Sequence, residues 1–104
     1  MFAKIVEELW QAEGASKYGG AVKHLDDYSK LAIEIETSSH LALVEVWDHA
    51  NCLDVTVHRV VSPSGALEAQ GRLVSAGPCA SPDEARARLR ELVGILDSGR
   101  VGDV

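Results

Sequence analysis

No apolar run in this chain approaches the roughly 20 residues that a helix needs to cross a bilayer. The opening MFAKIVEELW carries Glu7 and Glu8 inside its apolar stretch and does not read as a signal peptide. A cytoplasmic protein is the simplest expectation. Cysteine is scarce as well. Cys52 and Cys79 form no CxxC pair, so zinc-ribbon and thioredoxin-like readings have no basis. Two free, partly buried thiols are expected, with a single disulfide as the alternative. Gly14 and Gly19–Gly20 do not open a helix after a strand, so no phosphate-cradling loop is present. Basic charge is in deficit, 10 Lys and Arg against 16 Asp and Glu, for a net charge of −6. Such a chain repels nucleic-acid backbones and anionic membrane surfaces, and its natural complement is a basic protein.

The rest of the composition is that of a folded domain. The chain has 104 residues, 46% hydrophobic and 25% charged, with no repeat and no low-complexity segment. A single domain over residues 1–99 with a flexible tail at 100–104 is expected. The charges are sorted along it. Every lysine lies before residue 31 and every arginine from Arg59 onward, while Leu31 to His58 holds Glu34, Glu36, Glu45, Asp48 and Asp54 and no basic residue but histidine.

Periodicity supplies the elements. Phe2, Ile5, Val6 and Leu9 recur at helical spacing, with Trp10 at the edge of the stripe. Ala15 to Ser29 reads as a linker, with Asp26–Asp27 as turn material. Leu31–Thr37 alternates, Leu31, Ile33 and Ile35 inward and Glu34 and Glu36 outward. Leu41–Asp48 has apolar residues on both faces, which marks a central strand or one carrying an interface, and Trp47 falls on the outer face with Glu45. Leu53–Val61 points Leu53, Val55 and Val57 inward and Asp54, Thr56 and His58 outward. After the Ser62–Gly65 turn, Ala66–Ala76 reads as a fourth strand with Gly71 as a bulge and Glu68 on its polar face. Ser81, Pro82 and Glu84 then announce a helix: a cap, a proline at the first helical position and a capping-box glutamate. Its stripe is Ala85, Leu89, Leu92, Val93 and Leu96, with Arg86, Arg88 and Arg90 in water. The expected fold class is α+β, a four-stranded antiparallel meander with N- and C-terminal helices packed on one face, in the order α-β-β-β-β-α.

Catalytic chemistry finds little footing. His40 and His49 would stand at opposite ends of one strand, ~25 Å apart, and cannot share a metal ion with His58 or His24. Surface histidines are the simpler reading. Asp48, His49 and Cys52 crowd one turn, whereas a nucleophile and its base converge from separate elements. The Glu34–Glu36 pair is what alternation alone produces. No enzyme activity, cofactor or metal is expected. Trp47 is more informative: an indole among carboxylates on an uncovered sheet can anchor a basic partner, the ring supplying area and the acids steering. The face so defined is Glu34, Glu36, Glu45, Trp47, Asp54, His58 and Glu68.

The stretches Ala32–Ser38 (AIEIETS), Leu43–Asp48 (LVEVWD) and Leu53–Val57 (LDVTV), followed by the Ser64–Gly65 turn and Ser81–Ala85 (SPDEA), resemble the TriTu-type family of small bacterial immunity proteins over about two-thirds of the chain. The Glu8–Leu9–Trp10 helix at the front also fits. Where that family often turns on glycine after the Trp-bearing strand, this chain has Asp48–His49–Ala50–Asn51. The resemblance implies a protein that binds a toxin effector, a basic domain such as a nuclease, and blocks it without catalysis. The alternative is a structural or adaptor module, a secretion chaperone or a homodimerising domain, using the same acidic face.

Overall fold

The computed structural model describes residues 2–25 and 30–98, with Leu25 known by its backbone alone. Helix α1 (Phe2–Glu13) runs into the single turn of α2 (Ala15–Tyr18). Five strands follow, β1 (Ala21–Leu25), β2 (Lys30–Glu36), β3 (His40–Trp47), β4 (Cys52–Arg59) and β5 (Arg72–Ser75), and α3 (Pro82–Ser98) closes the chain. The strands pair in sequence order and all antiparallel. The fold is α+β with a five-stranded sheet. The expected tail at 100–104 and the Asp26–Asp27 turn lie outside the described residues.

Period-two alternation builds the core. Three cross-strand rows, Leu31–Val46–Leu53, Ile33–Val44–Val55 and Ile35–Ala42–Val57, are sealed from solvent. The helices cover them with Phe2, Val6 and Trp10 from α1 and Ala85, Leu89, Leu92 and Leu96 from α3. Full burial of one such aliphatic side chain is worth about 1.5–3 kcal/mol. Trp10 belongs at the centre of its stripe rather than at the edge, and Ile5 turns partly outward. The indole has a partner inside: Nε1 donates to the Gly19 carbonyl at 2.7 Å, which removes the cost of burying it. Its ring lies against Gly14, where a Cβ would come within 2.4 Å of two ring carbons.

Residues 15–25 of the stretch read as a linker are structured. They contain α2 and the edge strand β1, whose exposed Lys23 and His24 mask any hydrophobic pattern. An edge strand needs only one neighbour's ladder, so little of it must be apolar. The fourth strand is shorter than expected. Only Arg72–Ser75 pairs with β4, beyond an irregularity at Val55/Thr56; ahead of it the Val60–Leu67 bridge stands alone. Gly71 is not the bulge. It crosses close over β4, where a Cβ would meet His58 Nε2 at 2.6 Å and Thr56 Cγ2 at 2.8 Å.

Polar groups lock the layers. Asp48, at the end of β3, accepts the Ala3 N–H at 2.7 Å and so caps α1 from across the fold. At α3, Ser81 Oγ accepts the Glu84 N–H, and the Glu84 carboxylate accepts the Ala80 N–H at 2.7 Å. Arg88, expected in water, is mostly covered. Its guanidinium donates to the carbonyls of Leu53, Gly77 and Pro78 and to Glu84, pinning the helix to the end of the sheet. Cys52 pairs with Pro78, so Cys79 falls on the other side of the sheet, in the core, and both thiols are free.

His40 was expected on the surface. It is the first residue of β3, 1% exposed, on the core face opposite Arg59. Nδ1 meets Ser39 Oγ at 2.7 Å, and Nε2 is buried with no hydrogen-bond partner. Burial first, then the Arg59 charge, pushes its pKa down, with Glu68 opposing. The neutral ring is therefore the folded form. Stability from this group is complete above the unfolded histidine value of ~6.5 and declines as pH falls below it. Urea titrations from pH 7.5 to pH 5 will show a fall in unfolding free energy, and His40→Leu will flatten that profile relative to the parent. Gly14→Ala will destabilise by about 1–3 kcal/mol, read as a lower denaturation midpoint, because the methyl must displace the Trp10 ring.

A candidate docking face on the open side of the sheet

Both long helices lie on one side of the sheet, so the alternate rows of β2, β3 and β4 form an uncovered face. Cross-strand partners share a face in an antiparallel pair, which places the groups in order. The rows are Lys30–Trp47–Cys52, then Lys23–Ala32–Glu45–Asp54, then Ala21–Glu34–Leu43–Thr56–Leu73, then Glu36–Leu41–His58. Six of the seven residues singled out from the sequence, Glu34, Glu36, Glu45, Trp47, Asp54 and His58, are thus gathered on one surface.

Glu68 is placed differently. Its carboxylate accepts from the Arg59 side chain at 2.9–3.0 Å and from the Arg59 N–H at 3.2 Å. These bonds, the backbone one first, hold it below the usual carboxylate range. Arg59 faces the same side as its register partner His40, so the Glu68 carboxylate is tied to Arg59 at that end of the sheet. His58 is half-covered by the same segment: its Nδ1 lies 3.3 Å from the Glu68 carbonyl, and Gly71 passes over its ring. The β4 side of the face is therefore partly roofed, and the β2–β3 side is open.

Five groups on the face were not singled out. Lys30 and Lys23 bring positive charge in from just outside the acidic segment. Lys30 Nζ lies 2.5 Å from Glu45 Oε2 and 4.9 Å from the centre of the Trp47 ring, so one acid and the indole already share a cation. Leu41 and Leu43 are half-buried, and Leu73 is 64% exposed. The sequence signal for Leu41 and Leu43 was the two-sided apolar pattern of β3; alternation carried one step back from Ala32 reaches Lys30. Four carboxylates against two ammonium groups leave the face only mildly acidic. Glu34 and Glu36 have no ion-pair partner among the described residues, and Asp54 Oδ1 accepts the Gly77 N–H at 3.1 Å.

Next to Trp47 the surface dips into an open bay of ≈460 Å³ lined by Trp47, His49, Cys52, Asp54, Ala76 and Gly77. The β3–β4 turn forms its rim, with Ala50 and Asn51 at positive φ, 61° and 50°. Glycine would take that turn without strain, and this chain has none there. His40 lines a different hollow, at the β2–β3 turn, so the histidines do not converge. Among the described residues no group of three or more metal-ligating side chains comes together, and no helix is long and apolar enough to cross a membrane. No family model, curated protein or solved structure matches the chain.

The two thiols differ sharply. Burial pushes Cys79 up, against the pull of Arg88, whereas Cys52 opens onto the bay. A thiolate-specific chromogenic disulfide reagent will therefore titrate one thiol quickly in the folded protein, and Cys52→Ser will abolish that fast phase. The second thiol will react only at the rate of opening or on unfolding.

Proposed function

We propose that the chain is a non-catalytic binding protein whose open sheet face docks a protein partner, and that the partner is a toxin domain which it neutralises, as the family resemblance implies. The observation that carries this reading is the face itself. An indole and three leucines stand on one side of a sheet whose other side holds the whole core, and Glu34 and Glu36, with no ion-pair partner among the described residues, flank them. Apolar anchors within a charged rim are the composition of a recognition surface. The negative rim and the net charge of −6 favour a basic domain such as a nuclease. Protection of a producing cell would take place in the cytoplasm.

The test is co-expression with the toxin domain encoded beside this chain. Growth restored by the parent chain and lost with Glu34→Lys/Glu36→Lys, in a variant of unchanged melting temperature, is the expected result. Trp47→Ala will weaken the complex by about 2 kcal/mol or more if the indole is the anchor. The reading falls if no toxin-encoding frame lies alongside, or if the folded double variant protects fully. Glu45 is left intact in this test because its removal would strand Lys30. A salt-insensitive homodimer on a sizing column would favour the adaptor reading, with the leucines meeting across a two-fold axis.

A further inference from the structure

Resting on the reading of this face as a docking surface, we infer that the bay between Trp47 and Asp54 is the pocket for one arginine side chain of the partner. The bay's volume, ≈460 Å³, is in the range of sites that enclose small ligands. Its walls are the indole, Ala76, Gly77 and the Cys52 side chain, with His49 from the β3–β4 turn. A single carboxylate, Asp54, stands among them. An apolar bay with one fixed charge takes an occupant that is apolar along its length and cationic at its end.

Trp47 stands one row along the open face from two acids that are register partners of each other, Glu45 and Asp54. On the β2 side the arrangement is complete: Lys30 lies over the ring and its ammonium meets Glu45. The chain's own lysine thus demonstrates that this indole and a neighbouring carboxylate hold a cation together. On the β4 side the same indole and Asp54 line one bay, and no cation of the described residues answers that carboxylate. One Asp54 oxygen is engaged by the Gly77 N–H, which orients the carboxylate and leaves Oδ2 for a ligand. Arginine suits this geometry better than lysine. Its planar guanidinium stacks on an aromatic face, is weakly hydrated and keeps its charge at any pH the fold survives. Its methylenes would lie along Ala76 and the ring.

The experiment uses the full chain and the blocked tripeptide acetyl-Gly-Arg-Gly-amide, with the citrulline and leucine tripeptides as controls. The readout is the indole N–H resonance of Trp47, separated from that of Trp10 by Trp47→Phe. The arginine peptide is expected to shift it saturably with a dissociation constant on the order of 1–10 mM, the scale for one isolated side chain. Asp54→Asn keeps an acceptor for Gly77 and should keep the melting temperature, yet weaken binding about tenfold or more. Lys30→Met should leave binding unchanged or strengthen it by relieving like-charge repulsion. The inference is overturned if citrulline or leucine peptide binds as well as arginine. It is equally overturned if Asp54→Asn has no effect, or if no saturable shift appears at concentrations about tenfold above the expected range. Arginine binding that depends on Asp54, in a chain that protects against no toxin, keeps the pocket and removes the immunity reading. Protection that depends on Glu34 and Glu36 without arginine binding keeps the face and removes the pocket.

Discussion

Register between β2, β3 and β4 is the constraint on which the other features rest. Side chains on a strand alternate strictly, so a slip of one residue would exchange every buried row for an exposed one. The pairing of Leu31, Ile33 and Ile35 with Val46, Val44 and Ala42 keeps the carboxylates of these strands out of the core. That register sets Trp47 beside Lys30, and the β3–β4 register sets Glu45 beside Asp54. The open face is therefore not separately specified. It is the complement of the core, and the burial of nine aliphatic side chains holds its geometry.

The helices depend on the sheet in turn. Asp48 follows Trp47 directly and caps α1, while Arg88 reaches from α3 to the carbonyls of Leu53, Gly77 and Pro78. Both ties meet the sheet near the bay, so the groups lining it are held from beneath by each helix layer. The surface pairs contribute less. Glu13 with Arg86 and Arg90 lies at the exterior, where ion pairs are screened. Lys17 and Tyr18 both reach Asp97 on α3. They align the two helices more than they stabilise the fold.

Much of this was legible in the residues. The alternation of β2, β3 and β4 was strong because each strand has one face in a dry core. The helix at Pro82 was announced by its cap. What escaped was decided by tertiary context. β1 lies at an edge and carries Lys23 and His24, so it shows almost no period-two signal. Trp10 looks marginal on a helical wheel until Gly14 and the Gly19 carbonyl provide its floor and its acceptor. His40 looks like a surface residue until Ser39 satisfies one ring nitrogen and the core closes over the other. The face was read as acidic because the charges were counted within one stretch of chain. Lys30 and Lys23, just before that stretch, return through antiparallel pairing to the same surface. Glu68 was assigned by extending a strand through the 66–71 loop, which in fact folds back onto Arg59.

The two margins of the sheet bear on how the molecule behaves in a crowd of its own copies. β1 offers five residues studded with a lysine and a histidine, and β5 only four, past a kink in the ladder. Neither is a hospitable template for a stray ribbon. Growth sideways into fibrils is discouraged, so the molecule tolerates crowding with its copies while its broad flank stays uncovered.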